Sequence, residues 1–200
     1  MKSKRCLIDF LLRQSINTCD KLEHRICYNT PVIKNKFKEV QFMSNEKIIN
    51  KKVLFVGGGK TIGHLPDKVV SLLDTFLENG EYHIIVGDAQ GCDSAIQVYL
   101  HSKGYPHVTV YCSGDKCRHN IGSWEEKHID IPEGVEGYEF YKVKDHAMIN
   151  YCDCAMLVWN RKSFATRMYI YHLKELGKPV FAFNVERDCF KISRRKEETK

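Results

Sequence analysis

Residues 84–93 read Ile-Ile-Val-Gly-Asp-Ala-Gln-Gly-Cys-Asp and run directly into Ser94-Ala95-Ile96-Gln97-Val98-Tyr99-Leu100. An apolar run stops at Gly87, a short loop carries a second glycine at Gly91, and a helical pattern begins at Asp93. This is a strand, a tight turn and a helix start. The first amides of a helix have no internal partner and lie at the positive end of its dipole, so such a place suits a phosphate or a ribose. Asp93 stands where an N-cap belongs. Asp88 has no capping role to fill. A carboxylate there suits ribose hydroxyls, or a positive charge developing at a ribose carbon.

A second stretch has the same character. Trp159-Asn160-Arg161-Lys162-Ser163-Phe164-Ala165-Thr166 leads from an apolar run into a helix. Ser163 or Thr166 offers a hydroxyl at the helix start, and Arg161 or Lys162 offers a charge. Trp159 is placed either to stack on a base or to pack in the core. A third, Gly57-Gly58-Gly59-Lys60-Thr61-Ile62-Gly63, fails both familiar phosphate patterns. The Walker pattern needs glycine where Leu54 stands, and the dinucleotide pattern needs glycine at Ile62 rather than Gly63. It is either a turn that needs a positive φ or a ligand contact. Arg118, Asn120, Trp124, Lys144 and Asp145 are candidates for a side wall, because the long Cys112–Tyr141 stretch has no clear elements of its own. Cys112, Cys117, His119, Cys152 and Cys154 lack the spacing of a zinc finger or ribbon, so no metal and no resident cofactor is expected.

These loops need a scaffold, and the sequence supplies one. Short β-rich runs at Val53–Val56, Tyr82–Val86, Val108–Tyr111, Ala155–Trp159 and Pro179–Phe183 alternate with helical patterns at Leu65–Leu77, Ser94–Ser102, Lys142–Tyr151 and Ser163–Leu176. Alternation of this kind predicts an α/β fold: a Rossmann-like parallel sheet of about five strands, order 3-2-1-4-5, with helices on both faces. All the unusual residues then follow strand C-termini, where ligands of such sheets sit. Residues 1–50 read as a basic extension and linker, with helical spacing over Leu7–Ile16, a polar Lys34–Lys52 segment and an alternative start at Met43. Residues 51–190 read as the nucleotide-binding domain, and residues 191–200 as a charged tail.

Charge is uneven along the chain. Residues 1–52 hold 12 Lys/Arg against 5 Asp/Glu, residues 191–200 hold 5 against 2, and the rest hold 14 against 18, although the whole chain is +6. The domain itself is slightly acidic, which argues against a nucleic-acid-binding domain, since that needs a basic face of its own. Nine scattered cysteines, no cleavable leader and no long apolar run predict a cytoplasmic protein with reduced thiols and no membrane partner.

Residues 53–184 resemble the SLOG superfamily of Rossmann-like nucleotide-sensing and nucleotide-processing domains, which includes DprA and the Lonely Guy phosphoribohydrolases. The resemblance is carried by V-L-F-V-G-G-G (53–59), V-G-D-A-Q-G-C-D (86–93), K-D-H-A-M-I-N-Y-C-D (144–153) and V-W-N-R-K-S-F-A-T (158–166). Together the loops read above give a candidate ligand-binding set of Gly57, Gly58, Gly59, Lys60, Gly87, Asp88, Gly91, Asp93, Arg118, Lys144, Trp159, Lys162, Ser163 and Thr166. The last stretch occupies the place of the family motif P-G-G-x-G-T, but only Thr166 matches, and Ala165 replaces a glycine. The phosphoribohydrolases carry a catalytic Glu three residues after that Thr, and here the position is Tyr169. The expectation is therefore a domain that binds or senses a nucleotide-like small molecule without catalysis. The alternative is an N-glycosidic-bond hydrolase using Asp88 and Asp145, because an oxocarbenium-like state wants a nearby carboxylate. Pairing into a homo-oligomer is compatible with either.

Overall fold

Side chains of a strand alternate between its two faces. In β1 (Lys52–Gly58), Val53 and Phe55 join one apolar core while Leu54 and Val56 join the other. A strand apolar on both faces must be covered on both, and this one lies at the middle of the sheet. The computed structural model describes residues 51–78 and 80–193. The expected helix over Leu7–Ile16, the 34–50 part of the polar linker and Met43 lie outside the described residues.

The remaining strands are β2 (Tyr82–Gly87), β3 (Val108–Ser113), β4 (Glu125–Ile129), β5 (Cys154–Trp159), β6 (Val180–Asn184) and β7 (Cys189–Ser193). Their order is β4-β3-β2-β1-β5-β6-β7. All neighbours are parallel except β6 and β7, which form an antiparallel pair. The α/β class with a mostly parallel sheet stands, and the sheet has seven strands rather than about five. The two additions lie at its edges, so the full order differs from the expected one. β4 lies inside the stretch expected to lack elements, and β7 takes in Lys191–Ser193, which extends the sheet into the expected tail.

Helices α1 (Asp67–Glu78) and α2 (Cys92–Ser102) cover one face, and α3 (Gly137–Tyr151) and α4 (Phe164–Glu175) cover the other. On the first face Phe76 meets Tyr82 and Phe181 edge-on, with ring centroids 4.8 and 5.5 Å apart. On the second, Met148, Ile149, Tyr169 and Leu173 pack on Val53, Phe55 and Leu157. From β1 the chain progresses through β2 and β3 to β4, then returns through α3 to β5 on β1's other side. The β1/β5 boundary is thus a topological switch point, where the strand-end loops diverge and leave a crevice.

Those loops are locked to one another. Gly91 has φ +86°, and a Cβ there would collide with the Lys60 carbonyl, so the β2–α2 turn and the β1–α1 turn touch through their backbones. Asn160 Nδ2 donates to Thr61 Oγ1 at 2.9 Å, tying in the β5–α4 turn. Gly91→Ala adds a disfavoured φ to a backbone collision. It is expected to lower unfolding free energy by about 2–5 kcal/mol. Gly63→Ala, where a Cβ meets nothing within 4 Å, should stay within about 0.5 kcal/mol of the parent. Urea denaturation midpoints of the two variants measure both.

Candidate functional site

The C-terminal end of β2 places two carboxylates, Asp88 and Asp93, in contact with cations brought from elsewhere. Asp88 is 1% exposed. Its Oδ2 accepts from Arg118 N at 3.1 Å and Arg118 Nε at 3.0 Å, and its Oδ1 accepts from Arg118 Nη2 at 2.5 Å. Burial pushes the Asp88 carboxyl up, but the Arg118 hydrogen bonds and the Lys144 charge outweigh it and hold the group below its ordinary value. Arg118 is itself stacked on Tyr141, with its guanidinium carbon 4.4 Å from the ring centre.

Asp93 is not the helix cap the sequence suggested. Gly91 is the N-cap of α2, and among the described residues no side chain caps its amides. Asp93 lies within the first turn, points back towards β2, and accepts from Ala89 N at 3.3 Å. A short polar side chain ahead of a helix announces a helix start. It does not say whether its oxygen takes the helix's own amides or those of the preceding loop.

Lys144 of α3 closes the cluster. Its ammonium lies 2.6 Å from Asp145 Oδ1, 3.8 Å from Asp88 Oδ1 and 4.0 Å from Asp93 Oδ2, with 2% of its side chain exposed. Burial would drive its proton off, but Asp145 and Asp93 hold it, and the net shift is upward. Expected as a ligand-side cation, Lys144 is instead consumed inside the protein. Gly87 is what lets it in. A Cβ there would meet the Lys144 ammonium at 2.7 Å and strike Asp93 Oδ2. The second oxygen of Asp145 accepts from the Tyr169 hydroxyl at 2.6 Å. Tyr169 thus holds a carboxylate supplied by another helix.

The β5–α4 turn is held by its own side chains. Asn160 Oδ1 accepts from the amides of Lys162 and Ser163, both at 3.1 Å. Ser163 caps α4 by accepting from Thr166 N at 3.3 Å. Thr166 is buried, while Lys60, Arg161 and Lys162 are exposed. Trp159 gives its indole N–H to Ser163 O at 3.0 Å, which braces the turn. Gly57, Gly58 and Gly59 form the end of β1 and its turn, and Gly59 N donates to Val158 O at 3.1 Å.

Two expected wall residues stand elsewhere. Trp124 donates to Tyr105 O at 3.0 Å and faces a cavity of about 610 Å³ at the opposite edge, by the N-terminal ends of β2, β3 and β4. Asn120 clasps the Trp124 backbone through both ends of its amide. Sequence reasoning missed Gln97, which is fully buried and donates to Gly87 O at 2.8 Å and His119 O at 3.1 Å while accepting from Ile121 N at 2.9 Å. A polar residue on the buried side of an otherwise apolar helix pattern is the signal that marks it.

The cluster holds three carboxylates against two cations, and Asp93 absorbs the imbalance. Burial first, opposed by Lys144 and reinforced by Asp145, pushes its pKa up to about 6. A carboxyl raised above its unfolded value binds its proton more tightly when folded, so its stabilising contribution is full at low pH and is lost as pH rises to about 6. His83, lowered to about 4 mainly by burial, acts oppositely over an overlapping range. The Asp93 contribution therefore has to be read as a difference between parent and Asp93→Asn. The parent's stability relative to Asp93→Asn should fall by about 3 kcal/mol between about pH 4 and 7 and be flat above. Urea titrations at stepped pH measure it. Comparison of the chain with protein-family models, curated proteins and solved structures gave no match in any of the three.

Proposed function

We propose that the C-terminal edge of the sheet binds a phosphorylated, nucleotide-like small molecule and holds it without turning it over. The observation that carries this reading is the uncapped start of α2 at the switch point. Among the described residues the first amides of that helix have no side-chain cap, and exposed Lys60 belongs to the turn that touches Gly91. The start of α4 is already capped by Ser163, so the two helix ends are not equivalent. An anion at the α2 end meets amide donors and the helix dipole, and the exposed cations Lys60 and Lys162 add charge.

Holding is favoured over cutting because the acids are committed. Both oxygens of Asp88 serve Arg118, and Lys144 is spent on neutralising its neighbours. One observation favours the second reading, an N-glycosidic-bond hydrolase. Asp145 keeps 18% of its side chain exposed and is aimed by Tyr169, so a carboxylate remains near the place where the resembling enzymes carry theirs.

Nucleoside monophosphates, dinucleotides, ADP-ribose and cyclic nucleotides, each tested by thermal shift and then by chromatography of the incubated mixture, separate the readings. The expected result is a rise in Tm with a ligand recovered intact. Lys60→Ala/Lys162→Ala should weaken that ligand about 10-fold or more, the loss of charge-assisted hydrogen bonds. Absence of stabilisation by every compound overturns the binding proposal. Release of free base that vanishes in Asp145→Asn overturns the non-catalytic reading in favour of the hydrolase.

A further inference from the structure

Beside Asp88, on the side away from Lys144's helix, stand two thiols. Cys112 is fully buried at the end of β3, and Cys117 follows it after the Ser113–Lys116 turn, packed against the same core. One Asp88 carboxylate oxygen and the two sulfurs lie within 4.8 Å of one another. We propose that Cys112, Cys117 and Asp88 form a binding site for a thiophilic divalent cation of the zinc class, with a fourth coordination position left for a water or an added ligand. The proposal does not rest on the nucleotide reading.

The donor set selects the ion. Two sulfurs and one carboxylate suit zinc or cobalt, whereas magnesium and calcium want an all-oxygen shell. Tetrahedral bonds of about 2.3 Å to sulfur put two thiolates about 3.8 Å apart. The spacing here meets that with a small inward movement. Three protein ligands with one open position is the pattern of reactive rather than closed structural zinc sites.

The surroundings fit a bound cation. Ligand carboxylates are normally oriented by outer hydrogen bonds, and Arg118 gives Asp88 three. A carboxylate has about four lone-pair sites, so one remains. The loop carrying Cys117 is pinned from below by Gln97, through His119 O and Ile121 N. The Cys117 thiol donates to His119 O at 3.5 Å, and the Glu126 carboxylate adds negative charge at the rim. Two thiolates and Asp88 around a divalent ion leave one negative charge, and Arg118 and Lys144 already flank Asp88 to meet it. Without an ion, burial and the neighbouring sulfur push the Cys112 thiol well up. Loading then releases protons, and affinity falls as pH falls.

The probe is Co²⁺ alone, titrated into the full chain after chelator treatment, with a phosphine reductant keeping the thiols reduced. One equivalent should produce a near-ultraviolet thiolate-to-cobalt charge-transfer band that Zn²⁺ abolishes. Cys112→Ser/Cys117→Ser, close to isosteric, should keep its far-ultraviolet circular dichroism and cooperative unfolding yet lose more than about 100-fold in Co²⁺ affinity, a loss beyond the 10–100-fold of an outer-shell change. Asp88→Asn should weaken binding too, and where that variant does not fold the double serine variant carries the test. Absence of the band in the parent overturns the proposal. So does a band kept at unchanged affinity in the double variant, which would assign it to other cysteines among the nine.

Discussion

An ammonium sealed from water must be neutralised where it stands, and the C-terminal end of the sheet is built around that requirement. Lys144 has 2% of its side chain exposed, and three carboxylates surround it. They arrive from different elements: Asp88 and Asp93 from the end of β2 and the start of α2, and Asp145 from α3 itself. Tyr169 of α4 fastens Asp145, and Arg118, from the loop before β4, fastens Asp88. Removing one partner from a buried ionic cluster typically costs 3–5 kcal/mol, because the remaining charge is stranded. The cluster therefore fixes the relative placement of β2, α2, α3, α4 and the loop before β4 more sharply than apolar packing alone would. Gly87 is the concession the backbone makes to it, since a side chain there would fill the ammonium's place.

This arrangement separates two kinds of cation at one end of the sheet. Lys144 and Arg118 complete the interior and are matched by acids. Lys60 and Lys162 project from the turns and are exposed. The anion proposed above would be attracted by the second kind without competing for the first, which would mean breaking buried pairs. The acids divide similarly. Asp88 is held charged by Arg118, Asp93 is eased towards its neutral form by burial, and Asp145 is kept partly open. Asp88 and Asp93, driven apart in this way, resemble a pair that acid–base enzymes use. Buried ionic networks that only support a fold do the same, so pKa divergence by itself does not imply turnover.

The sequence was most legible where burial on two faces forces an apolar run. Val53–Val56, Ile84–Val86, Val108–Val110, Ala155–Val158 and Val180–Phe183 mark five strands, and the helices between them follow from periodicity and from their glycine stops. It was least legible at the edges. β4 is Glu-Glu-Lys-His-Ile and β7 is Cys-Phe-Lys-Ile-Ser. Each needs one pairing partner and shows most of its surface to water, so neither carries the apolar signature, and the charges of β4 suit an edge that must not pair with another chain. At the site, residue identity was legible and orientation was not. Asp88, Asp93, Arg118, Lys144 and Asp145 all stand out by residue type and place, yet the Asp93 oxygen turns inward and Lys144 is a structural counter-ion. Which acid meets which base depends on distances between segments up to 56 residues apart, from Asp88 to Lys144, and no local pattern encodes them.

Asp88 is where the two halves of this site share a residue. One carboxylate orders Arg118, leans on Lys144 and faces the sulfurs of Cys112 and Cys117. Under the proposed loading, two thiolates and Asp88 around a divalent ion would leave one negative charge beside Arg118, which would keep the guanidinium where Asp88 and the Tyr141 ring already place it. Lys144 would stay as well, because Asp145 and Asp93 retain it. An ion at the sulfurs would therefore leave the cationic side of the network in place, and the residue shared by both would be Asp88 alone.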